Sequence, residues 1–148
     1  MSVLKKILLV EDNPNDVELT LEALSENNIA NAVDLARDGE EALDYLNRKG
    51  SFSSRSAGNP AVILLDLKLP KINGLEVLKA IRENNNLKMI PVVILTSSRE
   101  ESDLIEGYRL AVNAYVVKPV DFNEFVRAIR TLGLFWAIIN EPPPGCGE

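Results

Sequence analysis

The chain has 148 residues, 46% of them hydrophobic, and a formal net charge of -6. That length suits one domain with a full core, no apolar stretch is long enough to span a bilayer, and the acidic balance argues against a non-specific nucleic-acid binder. The absence of histidine and the single Cys146 exclude Ser-His-Asp and Cys-His catalysis, almost every zinc constellation and an internal disulfide. The N-terminus runs straight into a strand candidate with no signal-peptide cleavage site, so a reducing cytoplasm is expected.

In chain order, the first apolar run is Ile7-Leu8-Leu9-Val10, which ends in Glu11-Asp12. A helix is expected from Pro14, capped by Asn13, with Val17, Leu21 and Leu24 inward. Ala32 to Ala36 is a weak second strand, and Gly39 to Lys49 a short helix with Ala42, Leu43 and Leu46 inward. Gly50 to Pro60, rich in Ser, Gly and Asn, reads as a long loop. Ala61 to Leu65 is a strand ending in Asp66, and Pro91 to Leu95 one ending in Thr96-Ser97. Ala114 to Val117 is a strand ending in Lys118-Pro119. Helices are expected over Gly74–Asn84, Glu100–Leu110 and Asp121–Phe135. Strands alternating with helix-period segments signify βαβ units and a parallel sheet.

Polar residues stand where these apolar runs end. Functional groups of an open parallel sheet gather outside the carboxyl ends of its strands. Glu11, Asp12, Asp66, Thr96 and Lys118 therefore meet at one edge. Three acids offer hard oxygens to magnesium, and crowded carboxylates gain from a cation. Asp66 is the candidate nucleophile for an aspartyl phosphate. Lys118 and Thr96 are placed to neutralise and hydrogen-bond phosphoryl oxygens. A cis bond is expected at Lys118-Pro119, turning Lys118 back toward the site. Taken singly, each has a plainer reading: Glu11-Asp12 as a helix cap, Lys118 as a surface lysine, Thr96 as a β-branched strand residue. The combination favours the chemistry. Phe135, Trp136, Ile138 and Ile139 belong to an apolar cluster too dense for one helix face, which marks a partner surface.

The segments Ile-Leu-Leu-Val-Glu-Asp-Asn-Pro at 7–14, Leu-Leu-Asp-Leu-Lys-Leu-Pro-Lys-Ile-Asn-Gly-Leu-Glu-Val-Leu at 64–78, Val-Ile-Leu-Thr-Ser at 93–97 and Ala-Tyr-Val-Val-Lys-Pro at 114–119 carry a resemblance. In order and spacing the chain resembles the receiver domain of two-component response regulators. The resemblance implies an α/β flavodoxin-like (βα)5 doubly wound sheet of strand order 2-1-3-4-5. It implies Asp66 as phosphoacceptor, and Glu11, Asp12, Asp66 and the Lys68 backbone carbonyl around magnesium. It further implies Thr96 and Lys118 as switch hydroxyl and lysine, and Tyr115 as a rotating switch aromatic. More narrowly, the early Glu11 to Asp16 motif, the long loop, and the Phe135-Trp136 ending with its proline run make the chain similar to single-domain regulators paired with cyanobacterial phytochromes.

That similarity implies a sensor histidine kinase as donor and a homodimer through the fifth strand and the last helix. Residues 1–140 are expected to form the receiver domain and 141–148 a Pro/Gly-rich tail. With no basic recognition helix following the receiver, output is expected through protein contacts rather than DNA or membrane. The protein is expected to catalyse only its own phosphorylation and slow dephosphorylation. A magnesium-dependent aspartyl phosphatase is the enzymatic alternative. Such enzymes commonly carry a second acid two residues after the nucleophile, where this chain has Lys68. A phosphate-independent interaction module is the other alternative, and it would not need all five site residues.

Overall fold

The computed structural model describes residues 6–25, 33–55, 58–97 and 114–131. They form five parallel strands: β1 (Ile7–Val10), β2 (Val33–Ala36), β3 (Val62–Asp66), β4 (Val92–Thr96) and β5 (Ala114–Val117). The strand order is β2-β1-β3-β4-β5. Four helices are described: α1 (Pro14–Ser25), α2 (Gly39–Asn47), α3 (Gly74–Glu83) and α4 (Phe122–Thr131).

The three central strands β1, β3 and β4 are buried along their whole length, as a sheet covered on both faces requires. Alternation of side chains sorts their residues between two cores. Ile7, Leu9, Leu64 and Leu95 pack with Leu24 of α1 and Phe125 of α4. Leu8, Val10, Leu65 and Ile94 pack with Tyr45 of α2 and Ile81 of α3 on the other face. A period of 2 in the strands thus meets the helical stripes on both sides.

Helix starts follow the capping chemistry. Asn13 Oδ1 accepts the N–H groups of Asn15 and Asp16 at 2.8 and 3.2 Å. Asp38 accepts from Glu41 at 2.7 Å. Asn73 and Glu76 form a reciprocal capping box at 2.9 and 3.1 Å. Helix α2 stops at Asn47, short of the expected Lys49, because Arg48 adopts a left-handed conformation with φ 56°. The segment expected as a plain loop after it contains a 3-10 turn at Gly50–Phe52. It is also pinned by Arg55, whose guanidinium stacks 4.2 Å above the Tyr45 ring and donates to Tyr45 O at 3.0 Å and Gly58 O at 2.9 Å. The helix expected over 100–110, the continuation of α4 to Phe135, and the cluster Phe135, Trp136, Ile138 and Ile139 lie outside the described residues.

Register brings the strand ends together. Val10 pairs with Leu65, so Glu11 follows level with Asp66. Asp66 pairs with Leu95, one residue before Thr96. Thr96 pairs with Val117, one residue before Lys118. No helix among the described residues is long and apolar enough to cross a membrane.

Candidate functional site

Glu11 leaves the end of β1 with its backbone still tied to β2, its N–H donating to Ala36 O at 3.0 Å. Its side chain is fully buried. Oε2 accepts the Asn13 N–H at 3.2 Å. Oε1 makes no well-aligned hydrogen bond among the described residues, although the Lys118 ammonium stands 2.9 Å away. The contact is best described as an ion pair lacking hydrogen-bond alignment. Asp12, the next residue, is exposed.

Asp66 closes β3 and is 5% exposed. Its Oδ1 accepts the Lys68 N–H at 3.3 Å, and its Oδ2 lies 3.2 Å from Lys118 Nζ. The turn beyond it is drawn tight, with the Gly74 N–H donating to Leu67 O at 3.0 Å. Lys118 follows β5, and its N–H donates to Thr96 O at 2.8 Å. The Lys118-Pro119 peptide is cis, as expected from the sequence.

One carboxylate oxygen from each of Glu11, Asp12 and Asp66 can be taken within 4.8 Å of one another. Three hard-oxygen donors at that spacing, with a buried Glu11 oxygen that lacks an aligned donor, fit a divalent cation. Burial raises the Glu11 carboxyl; the Lys118 ammonium lowers it, Asp66 raises it, and the result is about 7. For Lys118, burial alone would lower the pKa. The carboxylates of Glu11, Asp66 and Asp16 outweigh that and hold it above its ordinary value. The group is thus a cluster of acids around the Lys118 ammonium.

The site opens into a cleft of about 610 Å³ lined by Asp12, Asp16, Asp66, Lys68, Ser97 and Lys118 among others. Of the residues picked out from the sequence, Glu11, Asp12, Asp66 and Lys118 converge directly. Thr96 is fully buried at the same edge. Tyr115 is half-buried, packed against the core on the α2 and α3 face. Lys68 reaches the site through its backbone N–H and lines the cleft.

Asp16 is the residue that sequence reasoning missed. Its Oδ2 accepts a hydrogen bond from Lys118 Nζ at 3.1 Å. The available signal was its place in the first turn of a helix that starts at the carboxyl end of β1, where side chains project toward the sheet edge.

Residues 7–130 match the family of the response regulator receiver domain. The chain is 40% identical over 132 residues to the response regulator Rcp1 of Synechocystis sp., covering 89% of this chain and 88% of that protein. Among solved structures it is similar to the bacteriophytochrome response regulator RtBRR, at 64% identity and a TM-score of 0.87, covering 97% of this chain and 86% of that one. It is also similar to the Mn(2+)-bound form of Rcp1, at 40% identity and a TM-score of 0.70, covering 90% of this chain and 94% of that one.

Proposed function

We propose a function for this chain from the family to which it belongs, the response regulator receiver domains: it accepts a phosphoryl group on Asp66 from a phytochrome-type sensor histidine kinase and signals through protein contacts. The observation that carries this reading is the Lys118 ammonium set 3.2 Å from the Asp66 carboxylate, beside a three-acid cation group. The names of the relatives, bacteriophytochrome response regulator among them, support the choice of kinase.

In this reading a carboxylate oxygen of Asp66 attacks the phosphorus of a donor phosphohistidine. A P–O bond forms, the P–N bond breaks, and its electron pair leaves with the donor imidazole, which takes a proton from solvent. Asp66 is already aimed by the Lys68 N–H, so little reorganisation is needed. A magnesium ion, held by Glu11, Asp12, Asp66 and the Lys68 carbonyl, would supply positive charge against the phosphoryl oxygens. The manganese-bound form of Rcp1 supports a divalent cation here. Lys118 neutralises a phosphoryl oxygen, and the Thr96 hydroxyl is drawn toward another. Tyr115 then repacks, and the change biases the surface around β5 and α4 between two arrangements. Slow loss of the group to water would reset the switch.

Homodimerisation through β5, the last helix and the cluster Phe135, Trp136, Ile138 and Ile139 completes the proposal. Val117 on β5 is 44% exposed, which supports an unsatisfied face there. The test is transfer of labelled phosphoryl from a phosphorylated bacteriophytochrome kinase to this protein. Label should pass to the wild type and not to Asp66→Asn. Equal labelling of both would sink the assignment of the acceptor, and transfer only from unrelated kinases would sink the assignment of the partner.

A further inference from the structure

Three carboxylates hold Lys118 Nζ: Glu11 at 2.9 Å, Asp16 at 3.1 Å and Asp66 at 3.2 Å. Of the three, the contact to Asp16 is an aligned hydrogen bond, whereas the contact to Glu11 is an ion pair without that alignment. They are not equivalent. Glu11 and Asp66 belong to the cation group, and Asp16 does not. Asp16 stands on α1 in the first helical turn, its backbone N–H fixed to the Asn13 side chain at 3.2 Å. Its carboxylate is about 30% exposed at the cleft mouth, whereas the Lys118 side chain is about 15% exposed.

Charge bookkeeping through the reaction separates the three further, on the reading of the site given above. A divalent cation would be held by Glu11 and Asp66 and would draw on their charge. Acyl phosphate formation then converts the Asp66 carboxylate to a mixed anhydride and brings the phosphoryl dianion into the cleft. Asp16 is outside the cation group and is not the acceptor, so neither step consumes its carboxylate. It therefore becomes the main competitor of the phosphoryl group for the Lys118 ammonium.

We propose that Asp16 is a positioning residue that holds the Lys118 ammonium at the cleft mouth and so restrains its release to the phosphoryl group. The exposed carboxylate makes the hold moderate, since partly solvated pairs are worth little more than a charge-assisted hydrogen bond. Moderate is what a restraint requires, because the lysine has to leave it in each cycle. Asp16 also sits where an acid favours the helix dipole, a purely structural role. That role predicts a change in melting temperature and no dependence on Lys118.

The experiment is a double-mutant cycle on the full chain with Asp16→Asn, Lys118→Ala and the pair. The readouts are calorimetric affinity for trifluoroberyllate in saturating magnesium, and the rate of mass gain from acetyl phosphate. Trifluoroberyllate binds an aspartate as a phosphoryl mimic, so its affinity is readable even where catalysis is lost. Asp16→Asn should tighten trifluoroberyllate roughly fivefold and speed mass gain by a similar factor, the scale of one partly screened charge pair. In the Lys118→Ala background the same substitution should do nearly nothing to affinity. Equal tightening in both backgrounds would overturn the proposal and leave simple repulsion between Asp16 and the anion. No change or weakening on Asp16→Asn with Lys118 intact would overturn it as well. A wild type that neither binds trifluoroberyllate nor gains mass would overturn the phosphoacceptor reading itself, and this inference with it.

Discussion

Gly74→Ala tests whether close backbone approach positions the acceptor loop. Gly74 opens α3 directly after its Asn73 cap. A Cβ added there would lie 2.4 Å from Asp66 O, 2.6 Å from Leu67 Cα and 3.1 Å from Leu67 O. The shortest contact is about 1 Å inside ordinary van der Waals distance. All three atoms are main chain, so no rotamer change relieves the clash. Overpacking of this kind costs about 1 to 3 kcal/mol. Alanine recovers up to about 1 kcal/mol through helix propensity and a restricted unfolded chain. With that recovery the net loss should be up to about 2 kcal/mol, a drop in Tm of up to roughly 8 °C for a domain of this size. The atoms that must move carry Asp66, and misplacement by an ångström costs on the order of a hundredfold in reactions that depend on alignment. Mass gain from acetyl phosphate should therefore slow by at least roughly tenfold. Gly58→Ala is the reference. It has φ 110° and open space around its Cβ, and it precedes β3 at the other edge of the sheet. It should lose stability through strain and keep its phosphorylation rate. A Gly74→Ala protein that melts and reacts like wild type would refute the close-approach account.

Two further predictions concern charge and burial. The Glu11 carboxyl, raised to about 7 mainly by burial, binds more protons folded than unfolded between its ordinary value and that pH. Its contribution to the metal-free protein is present at low pH and lost as pH rises through about 7. Magnesium affinity should run the opposite way, strengthening as pH rises from 6 to 8 by roughly tenfold per unit at most. Calorimetric titration across that range checks the sign, and a flat profile would be evidence against a buried, protonatable Glu11. Tyr45→Phe removes the hydrogen bond to Asp34 at 2.6 Å under the stacked Arg55. It should cost about 1 to 2 kcal/mol in urea unfolding. An unchanged urea midpoint would show that water replaces the bond.

Strand identity was legible because fully buried strands read as continuous apolar runs ending in functional residues, as Ile63-Leu64-Leu65-Asp66 does, whereas strand order came only with the family resemblance. Asn13, Pro14 and the cis Lys118-Pro119 bond were legible because their chemistry is local. Arg48 gave no warning that it would end α2, since a left-handed arginine has no compositional mark as glycine or asparagine has. The long loop looked featureless because the stack of Arg55 on Tyr45 exists only once α2 and the turn have met. Asp16 escaped for a similar reason. It is separated from Lys118 by 102 positions, and only the parallel topology makes them neighbours.

The most direct test of the central claim is intact-protein mass spectrometry after incubation with magnesium and acetyl phosphate, wild type beside Asp66→Asn. One added phosphoryl group on the wild type, absent from Asp66→Asn and abolished by chelation, is the predicted result. A folded, cation-binding wild type that gains no mass from acetyl phosphate or from a phosphorylated kinase would contradict the account.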